Sequence, residues 1–167
     1  MIKKFGDFTT SIGDLEPGDR VYVDGPFGTF DIEDHEGPGY CMIGGGIGAA
    51  PIMSILRTMN DRSDDRYVIF FYANPGWETI NYREELEVLQ DRMNLKVVHV
   101  LEEPPEDWDG EVGFVTKEIL DRHLPENRDD LQYFICGPIP MIVMVKKALK
   151  ALGLPMQQVH TEKFEMA

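Results

Sequence analysis

The run Gly44-Gly45-Gly46-Ile47-Gly48-Ala49-Ala50-Pro51 most narrows what this chain can fold into. It follows the apolar stretch YCMIGG, Tyr40 to Gly45, and precedes Ile52, Ile55, Leu56 and Met59, which recur at helical spacing. A buried strand, a glycine turn and a helix therefore succeed one another with no linker. Glycine lets the backbone bend tightly and lets another group approach it closely. The helix start then offers unpaired N–H groups and the positive end of its dipole, which together suit a pyrophosphate. Pro51 fits the first helical turn, where no N–H is needed. A tight turn with no ligand would use the same residues, so the turn alone leaves both readings open.

The alternation continues. RYVIFFY is a second apolar run, followed by Tyr82, Leu86, Leu89 and Met93 at helical spacing. LKVVHVL is a third strand, and Thr116 can cap a short helix running through His123. LQYFICG is a fourth strand. Met141, Met144, Val145, Ala148, Leu149 and Leu152 then line a long helix that Gly153 stops, and MQQVHTEKF can form a fifth strand. Strand and helix in strict alternation predict an α/β fold, a five-stranded doubly wound parallel sheet with right-handed crossovers. Its ligand belongs at the carboxyl ends of the strands, where the strand order switches.

Residues 1–36 read differently. FTTSIGDL suggests a short helix with a threonine cap, and RVYVDG alternates like an antiparallel strand. GPFG is turn chemistry and TFDI another short strand. The segment is too short to bury a core of its own. Its unpaired strand edges invite association, so a homodimer through residues 1–36 is one expectation. The domain reading is residues 1–36 as one unit and 37–167 as a nucleotide-binding unit.

Composition removes several function classes. Thirty acidic against sixteen basic residues leave a net charge of −14, which repels nucleic acid and anionic lipid surfaces. No apolar run approaches the ~20 residues of a membrane span, and no apolar stretch follows the initial lysines as in a signal peptide. Cys41 and Cys136 fit no disulfide framework and no metal spacing, and neither do His35, His99, His123 and His160. A cytoplasmic protein with reduced thiols and no metal is the expectation.

A second motif joins the first. ICGPIPM, Ile135 to Met141, closes the fourth strand and opens the long helix. With Gly46-x-Gly48-x-x-Pro51, this Cys-Gly-Pro resembles the ferredoxin–NADP reductase superfamily, in its pyridine-nucleotide domain. FFYANPGWETINYREEL resembles that family's second strand and nucleotide-selecting loop, and WDGEVGFVT resembles its Trp-x-Gly-x-x-Gly segment. The resemblance implies an NAD(P)H site formed by Gly45, Gly46, Ile47, Gly48, Ala49, Pro51, Asn74, Cys136, Gly137, Pro138 and Met141. It implies that Cys136 lies beside the nicotinamide, and that Glu162 stands where the family's acidic residue helps manage hydride transfer. Gly6, Phe8, Thr9 and Phe164 match positions near the flavin, which implies FAD. The family's main flavin strand, Arg-x-Tyr-Ser or Arg-Pro-Phe-Ser, has no counterpart in this sequence, and neither do most strands of its flavin-binding antiparallel barrel. Residues 1–36 thus resemble a carboxyl-terminal remnant of that barrel.

NADH is favoured over NADPH. A 2′-phosphate needs basic partners, yet Asn74-Pro75-Gly76-Trp77-Glu78 offers none and Arg83 is the nearest cation. Three functions follow. The first is a reductase module that passes hydride from NAD(P)H to FAD and electrons on to an acceptor, with a flavin domain or flavoprotein subunit as partner. The second is a nucleotide-binding or regulatory subunit without its own flavin. The third is an interaction module using residues 1–36.

Overall fold

The computed structural model of the chain describes residues 6–25 and 28–163. The elements are α1 (Gly6–Ser11), β1 (Gly39–Gly45), α2 (Ala49–Asp61), β2 (Tyr67–Asn74), α3 (Arg83–Arg92), β3 (Leu95–Leu101), β4 (Glu111–Val112), α4 (Lys117–His123), β5 (Gln132–Gly137), α5 (Ile139–Ala151) and β6 (Val159–Lys163). The strands form one parallel sheet in the order β4-β3-β2-β1-β5-β6. The chain steps outward from β1 through β2 and β3 to β4, then returns to the other side of β1. The switch in direction therefore falls between β1 and β5, next to the glycine turn.

Alternation within each strand feeds two cores. Tyr40, Met42, Phe70 and Tyr72 face α2 and α3, where Ile52, Met53, Leu56 and Leu86 meet them. Cys41, Ile43, Ile69 and Phe71 face the other way, onto Ile119 and Leu120 of α4 and Ile142, Val145 and Leu149 of α5. Strands buried on both faces explain why the sequence shows continuous apolar runs instead of alternation.

The sheet has six strands, one more than the sequence predicts. The amide of Gly113, at a φ of 92°, donates to the Leu101 carbonyl at 2.7 Å. That turn lays Glu111 and Val112 beside Val100 and Leu101, a pairing with no apolar signature to announce it.

The amino-terminal readings need correction. RVYVDG and TFDI are not strands: no strand occurs among the described residues before Gly39. Val21 is 57% exposed, Tyr22 90% and Val23 91%. Alternation specifies a strand only when a neighbour supplies a ladder and a face to bury, and no described element lies alongside this segment. Nor does Thr9 cap a helix; it lies inside α1, whose first turn carries Asp7. Part of the GPFG turn, residues 26 and 27, lies outside the described residues.

The segment after residue 28 does pack. Ile32 is buried, Phe30 meets Phe134 edge-on at 5.3 Å between centroids, and Arg62 at the end of α2 pairs with Glu33 at 2.8 Å. His35 stacks on His160 of β6 at 3.6 Å between centroids. The Gln132 side chain bridges Glu36 and His160, donating to the Glu36 carbonyl at 3.1 Å and bonding the His160 ring at 3.0 Å.

The Thr116 cap stands where the sequence predicts it, its hydroxyl oxygen accepting from the Ile119 amide at 3.4 Å. Thr116→Ala should cost about 1 kcal/mol, read as a lower urea midpoint at unchanged slope.

Candidate nucleotide site

At the carboxyl ends of β1 and β5 two glycine-bearing turns press together. Gly46–Gly48 forms a 3₁₀ turn, and Ala49 begins α2. Gly48 is buried, and a Cβ there would lie 2.0 Å from the Cys136 carbonyl oxygen, so only glycine permits this approach. Gly46 has a φ of 53° and open space where a side chain would stand. Met141, at the first turn of α5, explains the other two glycines: its thioether would meet a Cβ on Gly45 at 2.5 Å and one on Gly137 at 2.6 Å. Met141 thus clamps the two motifs into a single floor.

The helix starts are open. No side chain caps α2 at Gly48 or α5 at Pro138. Pro51 lies in the first turn of α2 and Pro140 in that of α5, so both donor-poor positions coincide with proline. The Ala49 amide at the start of α2 donates back to the Gly46 and Ile47 carbonyls, so the 3₁₀ turn at Gly46–Gly48 runs on into the helix.

Asn74 ends β2 and is 3% exposed, yet neither polar atom of its amide makes a well-formed hydrogen bond among the described residues. Buried polar groups are rarely left so, which makes the Asn74 amide a candidate contact for a polar ligand beside the glycine turn. Beside it Tyr72 reaches toward the Gly46 carbonyl, 3.5 Å away, and burial pushes its phenol pKa up. Tyr72, a buttress under the turn, gave no signal in the sequence beyond an aromatic in an apolar run.

Cys136 is fully buried, on the face shared with α2. It pairs with Gly44 on one side and Glu162 on the other. Burial, then the Glu162 charge, pushes its thiol up to about 12. Glu162 lines a cleft of about 620 Å³ with Phe30, Glu33, Pro51, Ser54 and Arg62. The structure therefore brings Gly45, Gly46, Gly48, Ala49, Cys136, Gly137, Pro138 and Met141 to one edge, with Pro51 and Glu162 on an adjoining cleft.

The flavin residues are not brought there. Gly6, Phe8 and Thr9 lie on α1, which packs mainly on the 3₁₀ turn Ile12–Asp14, and Phe8 is 78% exposed. Phe164 lies outside the described residues. The glycine cradle, the open helix starts and the unmet Asn74 amide fit a dinucleotide.

Residues 42–147 match the family model described as Oxidoreductase NAD-binding domain, more than half of the sequence. The chain belongs to that family. Its NAD-binding domain is similar to NADH-cytochrome b5 reductase 1 of Lodderomyces elongisporus, 38% identical over 158 residues, covering 92% of this chain and 53% of that protein. The NADH–cytochrome b5 reductase 1 of Arabidopsis thaliana is 36% identical over 143 residues, covering 84% of this chain and 51% of that protein. The chain thus spans about half the length of these curated relatives. Among solved structures, the cytochrome b5 reductase domain of Ulva prolifera nitrate reductase superposes with a TM-score of 0.83 at 26% identity, over 94% of this chain and 64% of that one. An Amycolatopsis cytochrome P450 reductase, GcoB, gives 0.76 at 29%, over 90% and 45%. The resemblance to the ferredoxin–NADP reductase superfamily holds, and so does the doubly wound sheet.

A thiol held up to about 12 stays neutral and unreactive at ordinary pH. Native Cys136 should resist a disulfide reagent at pH 8, while the urea-unfolded chain labels within seconds. The same shift sets a stability trend. From its ordinary 9.0 to about 12, the thiol ionises in the unfolded chain before the folded one. Its contribution is therefore complete below pH ~9 and lost as pH rises toward ~12; urea midpoints of the chain and of Cys136→Ala should converge across that window.

Proposed function

We propose that this chain is the NADH-binding module of a flavoprotein reductase, holding the dinucleotide so that its nicotinamide can deliver hydride to a flavin. The observation that carries this is the floor made by Gly45, Gly46 and Gly48 against Cys136, Gly137 and Met141 at the switch between β1 and β5. The Gly46–Gly48 turn and the positive end of α2 would hold the pyrophosphate. The nicotinamide lies toward Gly137 and Pro138, with the Cys136 backbone beneath it and Glu162 across the neighbouring cleft. The adenosine half extends toward Asn74, whose amide then gains its missing partners. The flavin, when bound, accepts the hydride and passes electrons on one at a time. By the names its relatives carry, the acceptor in this reading is a b-type cytochrome.

The role of the protein is orientation and a dry floor. Burial, and then the Glu162 charge, raise the Cys136 thiol, so the floor beneath the ring carries no competing thiolate. Residues 37–167 form the nucleotide unit, and residues 1–36 join the flavin unit or, through the exposed Tyr22 and Val23, a second copy. No helix among the described residues is long and apolar enough to cross a membrane. Two free buried thiols suit a cytoplasmic setting.

One observation favours a second reading, a nucleotide-binding subunit without its own flavin: α1 makes no substantial contact with the sheet. An absorbance spectrum of the purified chain separates the two. Isothermal titration should show NADH binding at one site, and Asn74→Ala should weaken it about tenfold, the loss of roughly one hydrogen bond to a buried amide. NADH binding equal in the chain and in Asn74→Ala would remove Asn74 from the site, and no binding at all would overturn the proposed function.

A further inference from the structure

The segment that leads into β1 is held on the sheet by rings. Phe134 of β5 stands at their centre, with Phe30 at 5.3 Å, His35 at 5.6 Å and His160 at 5.0 Å between centroids. His35 comes from the connecting segment and His160 from the edge strand β6, and the two imidazoles stack face to face, 24° from parallel. Gln132 ties the pair to the backbone. Its amide nitrogen is committed to the Glu36 carbonyl, so its oxygen accepts from the Nε2–H of His160. The same segment walls the larger cleft: Phe30 and Glu33 line it opposite Pro51 and Ser54, together with Glu162.

Stacked neutral imidazoles attract as other aromatic pairs do. Two imidazolium rings at that separation repel. The surroundings supply little to offset this. From the segment come Asp34, which lines a cleft of about 240 Å³ beside both rings, Glu36, and Asp31, whose carboxylate accepts from the Glu33 amide. From α2 comes Arg62, already paired with Glu33, and from β6 comes Glu162 on the larger cleft. From β1 comes Tyr40, whose hydroxyl donates to the His35 carbonyl at 3.4 Å and whose ring lies under Arg66, itself paired with Asp64. β5 contributes the uncharged Gln132 and Phe134. Among the described residues neither His35 nor His160 makes an ion pair. The nearby carboxylates can steady one charge on the pair; a second proton meets the first at stacking distance.

We propose that the His35–His160 stack is an acid-released latch, which holds the connecting segment on β6 when both rings are neutral and lets it go when both are charged. Release would free one wall of the cleft that Glu162 lines, and with it the tether between the amino-terminal residues and the sheet. The sign follows from His160. Burial, and then the His35 charge, hold its pKa below the ordinary 6.5, so the contact is complete above that value and is lost as pH falls through the lower, folded one. The latch stands whether or not the nucleotide reading does, because no ligand enters it.

The test is hydrogen exchange on the full chain at pH ~7.5 and ~5.5, where histidines titrate and most carboxylates stay ionised. Rates are corrected for the intrinsic pH dependence of amide exchange. Protection across residues 29–36 should fall about tenfold on acidification, the order of one ring contact and one hydrogen bond, while β1 and β2 keep theirs. His35→Phe, which can stack but takes no proton, should keep its protection at both values. Constant protection in the wild-type segment, a fall shared equally by β1 and β2, or a fall of the same size in His35→Phe would each overturn the proposal. Proton NMR of the wild-type chain decides independently of how that variant packs. The His160 C2 proton should titrate below the ordinary 6.5, at the pH where the segment loses protection; a midpoint at or above that value would sink the latch.

Discussion

The contact on which the rest of the site depends is the approach of the Gly48 backbone to the Cys136 carbonyl. At that distance no side chain fits, so α2 can begin directly over the end of β5. Everything beyond follows from this closeness. The turn at Gly46 leaves open space, Met141 settles across Gly45 and Gly137, and the ends of β1 and β5 share one floor. A methyl group at position 48 would force the helix start and the strand apart, and interiors packed at solid density have nowhere else to absorb such a shift.

Most of the sheet was legible because burial on both faces writes strands as uninterrupted apolar runs. YCMIGG, RYVIFFY, LKVVHVL and LQYFICG appear as β1, β2, β3 and β5 within a residue or two. The helices were legible for the opposite reason, since only one stripe of each is buried. What stayed hidden was structure made by backbone alone. Glu111 and Val112 pair with β3 through a glycine turn, and a two-residue strand has no period to detect. The error at RVYVDG has the same root. Alternation states a willingness to pair, while a strand also needs a neighbour, and Val21 to Val23 have none among the described residues.

At the site, the glycines and prolines of both motifs were readable because each answers to a local backbone demand. Tyr72 and the Trp77–Trp108 contact were harder. Asn74 was named in the sequence only through the family resemblance; its burial, with no well-formed hydrogen bond from its amide among the described residues, shows only in the structure. The two tryptophans are 31 positions apart and meet only because β2 and β3 end side by side. Long-range stacking of this kind leaves no spacing to find. The charge of −14, by contrast, was visible at once but explains little of the site.

The depth of Cys136 has a bearing on durability. Peroxide attacks the thiolate, converting cysteine first to a sulfenic acid and then to forms that cannot be reduced. A sulfur with no exposed surface and a pKa of about 12 presents almost none of that species. The sulfur at the end of β5 is therefore sheltered from oxidation by the same packing that brings Gly48 onto its backbone.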